Sequence, residues 1–153
     1  GIMSALPRVG IIGCGLIGNK RARALPKGTV TALADVRLSA AEALAAELGS
    51  NGPRPQTYSD PVQLCKSDAV DAVLIATSNS SLVPLAEQAL RAGKHVLLEK
   101  PGALSYRELA TLQPYADRGL QIRIGYNHRF HPALQKGSTP ALAAYDQPCG
   151  IFK

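Results

Sequence analysis

The sequence of 153 residues has no long apolar run, few aromatic residues and few cysteines. Its longest apolar runs, such as residues 72–76, are only a few residues long, whereas a membrane-spanning helix needs about 20. Hydrophobic residues make up 46% of the chain and charged residues 18%, which is typical of a folded domain rather than a disordered segment. The composition therefore predicts a globular domain with no membrane partner.

The basic residues show no dense cluster on one surface, although 17 Lys and Arg against 11 Asp and Glu give a net charge of +6. The densest group, residues 20–27, lies within one predicted helix and has no interleaved aromatic residues, unlike the basic stripe of a nucleic-acid-binding surface. We therefore expect no nucleic-acid partner.

The three cysteines, Cys14, Cys65 and Cys149, are odd in number and lack both C-x-x-C spacing and histidines at zinc-site intervals. No metal site is predicted, and a reducing, cytoplasmic location is expected. Residues 1–4 have neither the charged nor the apolar segment of a secretory signal.

Segments with strand patterns alternate with helical ones. Strands are predicted over residues 8–12, 30–34, 69–76 and 95–98, with a very short one near 57–58 and a half-exposed edge strand over 121–126. Helices are predicted over 16–25, 39–48, 82–90 and 105–116, and two of them begin with a Ser-x-x-Glu capping box, at Ser39 and at Ser105. This alternation predicts an α/β fold with a doubly wound parallel sheet.

A G-x-G-x-x-G motif at Gly13, Gly15 and Gly18 follows the first strand directly and, with Leu16 and Ile17, opens a helix. The glycines permit a tight turn, the approach of a diphosphate and close helix packing, while the helix N-terminus favours negative charge. Asp35 ends the second strand, where a carboxylate accepts hydrogen bonds from an adenosine ribose. The motif predicts a Rossmann dinucleotide-binding domain; the alternative is a glycine turn with a capping Asp.

The residues after the second strand bear on the choice of coenzyme. The carboxylate of Asp35 would repel the 2′-phosphate of NADP, which favours NAD. Arg37 could pair with that phosphate and leaves NADP open. Val36, between them, is counted among the candidate cofactor-binding residues.

Two further loops are expected at the same sheet edge, where open α/β sheets bind ligands. Thr77, Ser78 and Asn79 follow the fourth strand, and Glu99, Lys100 and Pro101 follow the fifth. Lys100 is a candidate proton donor or acceptor beside a nicotinamide ring; the alternative is an ordinary surface lysine.

Together with A-G-K-H-V-L-L-E-K-P over residues 92–101 and G-Y-N-H-R-F over 125–130, these segments resemble the glucose-fructose oxidoreductase / inositol dehydrogenase (Gfo/Idh/MocA) family. The resemblance covers about residues 7–135, the predicted dinucleotide-binding domain, and leaves 136–153 as an irregular tail. It implies an oxidoreductase that transfers a hydride between a sugar, polyol or sugar nucleotide and NAD(P).

The resemblance also implies residue roles. Lys100 would lie at the reacting centre, Glu99 and Asn79 would line the nicotinamide side, and the bond before Pro101 would be cis. Arg129 would lie where the first domain meets a second.

The chain departs from the family pattern at two points. Leu82 stands where a histidine is common, and the second domain that carries the catalytic His and Asp is not in this sequence. We expect the chain to be inactive alone, whether it was shortened by design, by proteolysis or by an interrupted gene. His128 and His131 are interpreted as hinge or structural residues, and the apolar surface expected over 126–134 predicts self-association or disorder of this stretch.

Two other functional classes share these features. A non-catalytic dinucleotide-binding or sensing module would use the same glycine turn, and a methyltransferase also has a glycine-rich first turn followed by an acidic residue.

Overall fold

A single sheet organises the part of the chain that the structure, a computed structural model, describes: residues 7–99, 106–124 and 129–130. The strands are β1 (Val9–Ile12), β2 (Val30–Ala34), β3 (Gln56–Tyr58), β4 (Ala72–Ile75), β5 (His95–Leu98), β6 (Ile122–Ile124) and β7 (Arg129–Phe130). Their order is β3-β2-β1-β4-β5-β6-β7, with β1 to β6 parallel and β7 antiparallel to β6. The chain leaves β1 to one side and returns at β4 to the other, which confirms the predicted doubly wound fold.

Helices cover both faces of this sheet. They are α1 (Leu16–Ala24), α2 (Leu38–Gly49), α3 (Pro61–Cys65), α4 (Asn79–Arg91), α5 (Tyr106–Ala110) and α6 (Gln113–Asp117). One core cluster joins the sheet to α1 and α2, and the other joins it to α3, α4, α5 and α6. Because β1 and β4 are buried along their whole length, their sequences are apolar without alternation. Within the described residues, no helix combines the length and the apolar character that a membrane crossing needs.

The predicted apolar stripe of α4 is confirmed. Leu82, Ala86, Ala89 and Leu90 are buried against the sheet, and Leu85 is half-buried. The stripe follows the 3.6-residue period of a helix packed on one side.

The predicted capping box at Ser39 is wrong. Helix α2 begins at Leu38, with Arg37 as its N-cap and no capping bond from a side chain. The Oδ1 atom of Asp35 accepts a hydrogen bond from the Arg37 amide at 2.9 Å, which fixes the chain before Ser39 is reached. The end of β2 therefore sets the start of the helix, and Ser39 lies inside its first turn.

The helix predicted over residues 105–116 is two short helices, α5 and α6. Pro114 lies in the first turn of α6, where its missing amide costs nothing, whereas in the interior of one long helix it would remove a hydrogen bond. The predicted buried face is confirmed because Leu109, Leu112 and Ala116 are all buried. Ser105 lies outside the described residues.

The prediction of a half-exposed edge strand after residue 120 is also wrong. Strand β6 lies between β5 and β7, and Gln121 and Arg123 are each 1% exposed. Polar and apolar residues alternate here as they do in an edge strand. The free edge of β6 is nevertheless paired with β7.

An ion pair joins the start of β1 to the start of β4. The Arg8 guanidinium donates to both Asp71 oxygens, at 3.1 and 3.0 Å, and the Arg8 amide donates to Oδ2 at 2.8 Å. These contacts hold the pKa of Asp71 below its ordinary value of 3.8. A carboxyl group whose pKa is lower in the folded state stabilises the fold above the unfolded-state pKa and loses that effect as pH falls.

We expect Asp71→Asn to lower the free energy of unfolding at neutral pH by about 1 kcal/mol or less, since both side chains are about half exposed. The difference should shrink as pH falls below about 3.8 and vanish once the wild-type carboxyl is protonated. Urea unfolding of both proteins across this pH range measures it. A difference that stayed constant down to acid pH would contradict the assignment.

Candidate functional site

The loops that follow β1, β2, β4 and β5 meet at the carboxyl edge of the sheet. The Gly13 amide donates to the Ala34 carbonyl and the Ala76 amide to the Ile12 carbonyl, both at 2.8 Å, and the Glu99 amide donates to the Ile75 carbonyl at 3.2 Å. These bonds place the turn after β1 between the ends of β2 and β4. The strand order reverses there, and open α/β sheets bind ligands at such a point.

Two of the three motif glycines are required by the protein itself. Gly13 has φ +99°, and a Cβ on it would lie 2.7 Å from the Ala76 carbonyl oxygen. A Cβ on Gly18 would overlap the Gly13 carbonyl oxygen. Gly15 is different, because apart from its own helix and chain neighbours no heavy atom of the described residues lies within 4 Å of the position of its Cβ. The space beside Gly15 is open, which is what a cradle for a ligand requires.

The same glycine begins α1. Gly15 is its N-cap, no side chain caps the helix and its first turn has no acidic residue. The first amides of the helix therefore receive no side-chain cap from the described residues, and together with the helix dipole they favour a bound anion such as a diphosphate.

Asp35 is held in one orientation by two backbone amides. Oδ2 accepts from the Cys14 amide at 2.8 Å, and Oδ1 accepts from the Arg37 amide at 2.9 Å. A carboxylate has about four acceptor positions, so it can still accept bonds from a ribose. The sequence predicted the ribose contact and missed that Asp35 also braces the glycine turn.

A cavity of about 380 Å³ opens beside Asp35. Asp35 and Val36 line one side, and Thr77, Pro84 and Leu85 line another. The Oγ1 atom of Thr77 is buried and has no hydrogen-bond partner among the described residues, and buried hydroxyls are normally paired. Pro84 and Leu85 were missed as lining residues because Leu85 also belongs to the apolar stripe of α4.

A second cavity, of about 480 Å³, lies between the carboxyl ends of α1 and α2 and is lined by Arg23, Lys27 and Glu47 among others. Although it is larger, none of the candidate residues lines it, and its two helices present their negative ends. The smaller cavity is therefore the candidate site.

On the other side of the glycine turn, Glu99 is 8% exposed and pairs with Arg21 of α1. Arg21 Nε lies 2.7 Å from Oε2, and Nη2 lies 3.1 Å from Oε1. The predicted nicotinamide-side residue thus has a carboxylate turned toward α1. Arg21 was missed, since in sequence it is one of several basic residues in the same helix.

Several predicted site residues lie wholly or partly outside the described residues. Lys100 and Pro101, with the predicted cis bond, lie outside the described residues, as do His128 and His131. Asn79 begins α4 and Arg129 pairs with Ile124, but their side chains are not described. Ser78 is the N-cap of α4 without a side-chain capping bond. Of the segment expected to self-associate, only 129–130 is described.

The Cys14 thiol, within the glycine turn, is a poor nucleophile. Burial and the nearby Asp35 charge raise its pKa to about 12, so it stays protonated at neutral pH. Among the described residues, no group of three or more His, Cys, Asp or Glu side chains is arranged to hold a metal ion.

Comparisons with known proteins agree with this geometry. The model of a family described as oxidoreductases with an NAD-binding Rossmann fold, Gfo/Idh/MocA, matches residues 7–126. Inositol 2-dehydrogenase 2 of Saccharopolyspora erythraea is 32% identical over 131 residues, which are 82% of this chain and 38% of that protein. UDP-N-acetylglucosamine 3-dehydrogenase of Acidithiobacillus ferrooxidans is 36% identical over 132 residues, 84% of this chain and 39% of that protein.

A solved structure is similar as well. GenD2 from gentamicin A biosynthesis, in complex with NAD, superposes with a TM-score of 0.70 at 26% identity, covering 80% of this chain and 35% of that one. The chain thus spans less than half the length of these relatives. The expected coenzyme, NAD, is confirmed by the family match.

We expect Gly18→Ala to lower the free energy of unfolding by about 2 kcal/mol or more, because its methyl group would overlap backbone that cannot move aside. Gly15→Ala should cost less than about 1 kcal/mol, the preference of an N-cap for Gly over Ala. Urea unfolding of both variants tests the difference, and equal losses would show that the space beside Gly15 is not open.

Proposed function

This chain belongs to the Gfo/Idh/MocA oxidoreductase family, and on that premise we propose that its carboxyl sheet edge holds NAD for a dehydrogenase acting on a sugar, polyol or sugar nucleotide. The observation that carries the proposal is the open space at Gly15. The protein needs no glycine there, yet a side chain would fill the place that a diphosphate takes at the N-terminus of α1.

The adenosine half fits the cavity beside Asp35. The free acceptor positions of Asp35 suit the ribose hydroxyls, and the apolar surfaces of Val36, Pro84 and Leu85 suit a purine ring. The buried Thr77 hydroxyl would gain the hydrogen-bond partner that the described part of the chain does not provide. These residues support binding of the whole adenosine, which a bare diphosphate site would not need.

The same geometry supports NAD over NADP. The Cys14 and Arg37 amides hold the Asp35 carboxylate from two sides, so it cannot turn away from a 2′-phosphate without breaking both bonds. Two negative charges would then face each other, which disfavours NADP.

The nicotinamide half would extend to the β4–β5 side of the turn, where NAD, when bound, accepts a hydride from the substrate carbon. Lys100 directly follows Glu99 in the sequence. We assign to its amine the role of accepting the proton that the reacting hydroxyl loses. Asn79 and Arg129 would line this side, by likeness to the family.

Residues 1–153 alone should bind NAD without turning over substrate. Among the described residues the only histidine is His95, which begins β5 at the opposite edge of the sheet. The relatives are longer than the part that matches this chain. We propose that the unmatched part supplies a further acid–base group and most of the substrate pocket.

We expect calorimetric titration to show that the chain binds NAD, and binds NADP more weakly. Gly15→Ala should weaken NAD binding by at least about tenfold, or 1.4 kcal/mol, because its methyl group fills the diphosphate position. S-adenosylmethionine should not bind.

Gly52→Ala is the matched control. Its added methyl would make only ordinary contact, 3.4 Å from Lys27 Cγ, and it lies far from the site. The proposed coenzyme site would be refuted if Gly15→Ala bound NAD as tightly as the wild type. It would also be refuted if the wild-type chain bound S-adenosylmethionine and did not bind NAD.

With NAD and a panel of polyols, sugars and sugar nucleotides, we expect the chain alone to produce no NADH. The absorbance of NADH over hours measures this. Robust turnover would show that residues 1–153 contain a complete active site. It would contradict the proposal that catalysis needs groups from outside these residues.

A further inference from the structure

The Arg21–Glu99 pair differs from the other ion pairs of the described region in its burial. Its side chains are 14% and 10% exposed, whereas those of Arg8–Asp71, Arg23–Glu47 and Arg91–Glu87 range from 42% to 61%. Removing two charges from water is costly, and a buried pair is often no more stabilising than apolar side chains of the same size. Stability alone therefore gives a weak reason for an ion pair here.

The position of the pair suggests another reason. Arg21 lies on α1, whose N-terminus faces the proposed diphosphate site, and Glu99 directly follows β5 and precedes Lys100 in the sequence. The two parallel bonds join planar groups, which fixes their relative orientation as well as their distance. The pair thus sets the end of β5 relative to the helix that receives the coenzyme.

The strand order assigns this contact to one half of the dinucleotide. Along the edge, Asp35 follows β2, the glycine turn follows β1, Thr77 follows β4 and Glu99 follows β5. Neighbouring strands lie about 4.8 Å apart, so Asp35 and Glu99 are separated by roughly 14 Å across the sheet. If the adenosine ribose is at Asp35, a dinucleotide that crosses the turn places its other half toward Glu99.

We propose that Arg21 and Glu99 are a positioning pair for the nicotinamide half of NAD. The pair holds the carboxyl end of β5 against α1, and the adenosine half binds independently of it. This inference rests on the proposed function, since it requires that NAD lie across this edge.

A direct role of Arg21 at the diphosphate is the competing explanation. Its guanidinium already gives two bonds to Glu99, so its charge is largely neutralised there. The competing role predicts that ligands with and without nicotinamide are affected alike.

The test compares NAD with ADP, which keeps the adenosine and both phosphates but lacks the nicotinamide nucleoside. We expect Glu99→Gln to weaken NAD binding by about fivefold or more and to change ADP binding by less than about twofold. Arg21→Lys keeps the charge but loses the planar two-bond geometry, and it should weaken NAD binding by a smaller factor, again with little change for ADP. Titration calorimetry, with competition for the weaker ligand, measures each affinity.

The Arg23–Glu47 pair provides the matched control. It lies two residues further along α1 and has the same two-bond geometry, 2.7 and 3.0 Å, but it is half exposed and joins α1 to α2. Glu47→Gln should leave the affinities for NAD and ADP within about twofold of wild type.

The outcomes separate the two proposals. If the wild-type chain binds neither ligand, the coenzyme site itself is wrong. If it binds both and the variants weaken NAD and ADP equally, or weaken neither, only the positioning role is overturned. Thermal unfolding checks that each variant is folded, and if Glu99→Gln does not fold, the ratio of the NAD to the ADP affinity in Arg21→Lys decides.

Discussion

The backbone at the end of β1 approaches its neighbours so closely that no side chain fits at Gly13 or Gly18, and the rest of the site depends on this approach. Because Gly13 can turn beside the Ala76 carbonyl, α1 begins immediately after the strand. Because Gly18 lies against the Gly13 carbonyl, the helix lies close to the turn, and its N-terminus lies at the open space beside Gly15.

Two carboxylates support the turn and its helix from opposite sides; one follows β2, which pairs with β1, and the other follows β5, which lies beyond β4. Asp35, at the end of β2, holds the Cys14 amide, and Glu99, at the end of β5, holds Arg21 of α1. Both are made rigid by two hydrogen bonds. The arrangement is preorganised, so little conformational freedom remains to be lost when a dinucleotide binds.

Errors in the predicted secondary structure occur where another contact overrides the pattern read from the sequence. Ser39 has the sequence of a capping box, but Asp35 fixes the chain earlier and the helix starts at Leu38. Arg123 alternates with Ile122 and Ile124 as on an edge strand, but β7 covers that edge. The buried faces of α4, α5 and α6 were predicted correctly, because the helical period is a property of residues close together in the sequence.

The sequence by itself determined the doubly wound fold, the glycine turn and the edge of the sheet where the candidate site lies. These follow from short-range patterns and from the stereochemistry of glycine, which act within a few residues. Only the tertiary structure decided that Glu99 pairs with Arg21, 78 positions away, that the Thr77 hydroxyl is buried without a partner, and that the smaller cavity is the one beside Asp35. Such contacts depend on which strands become neighbours and how far apart their ends lie, and no local pattern encodes that distance.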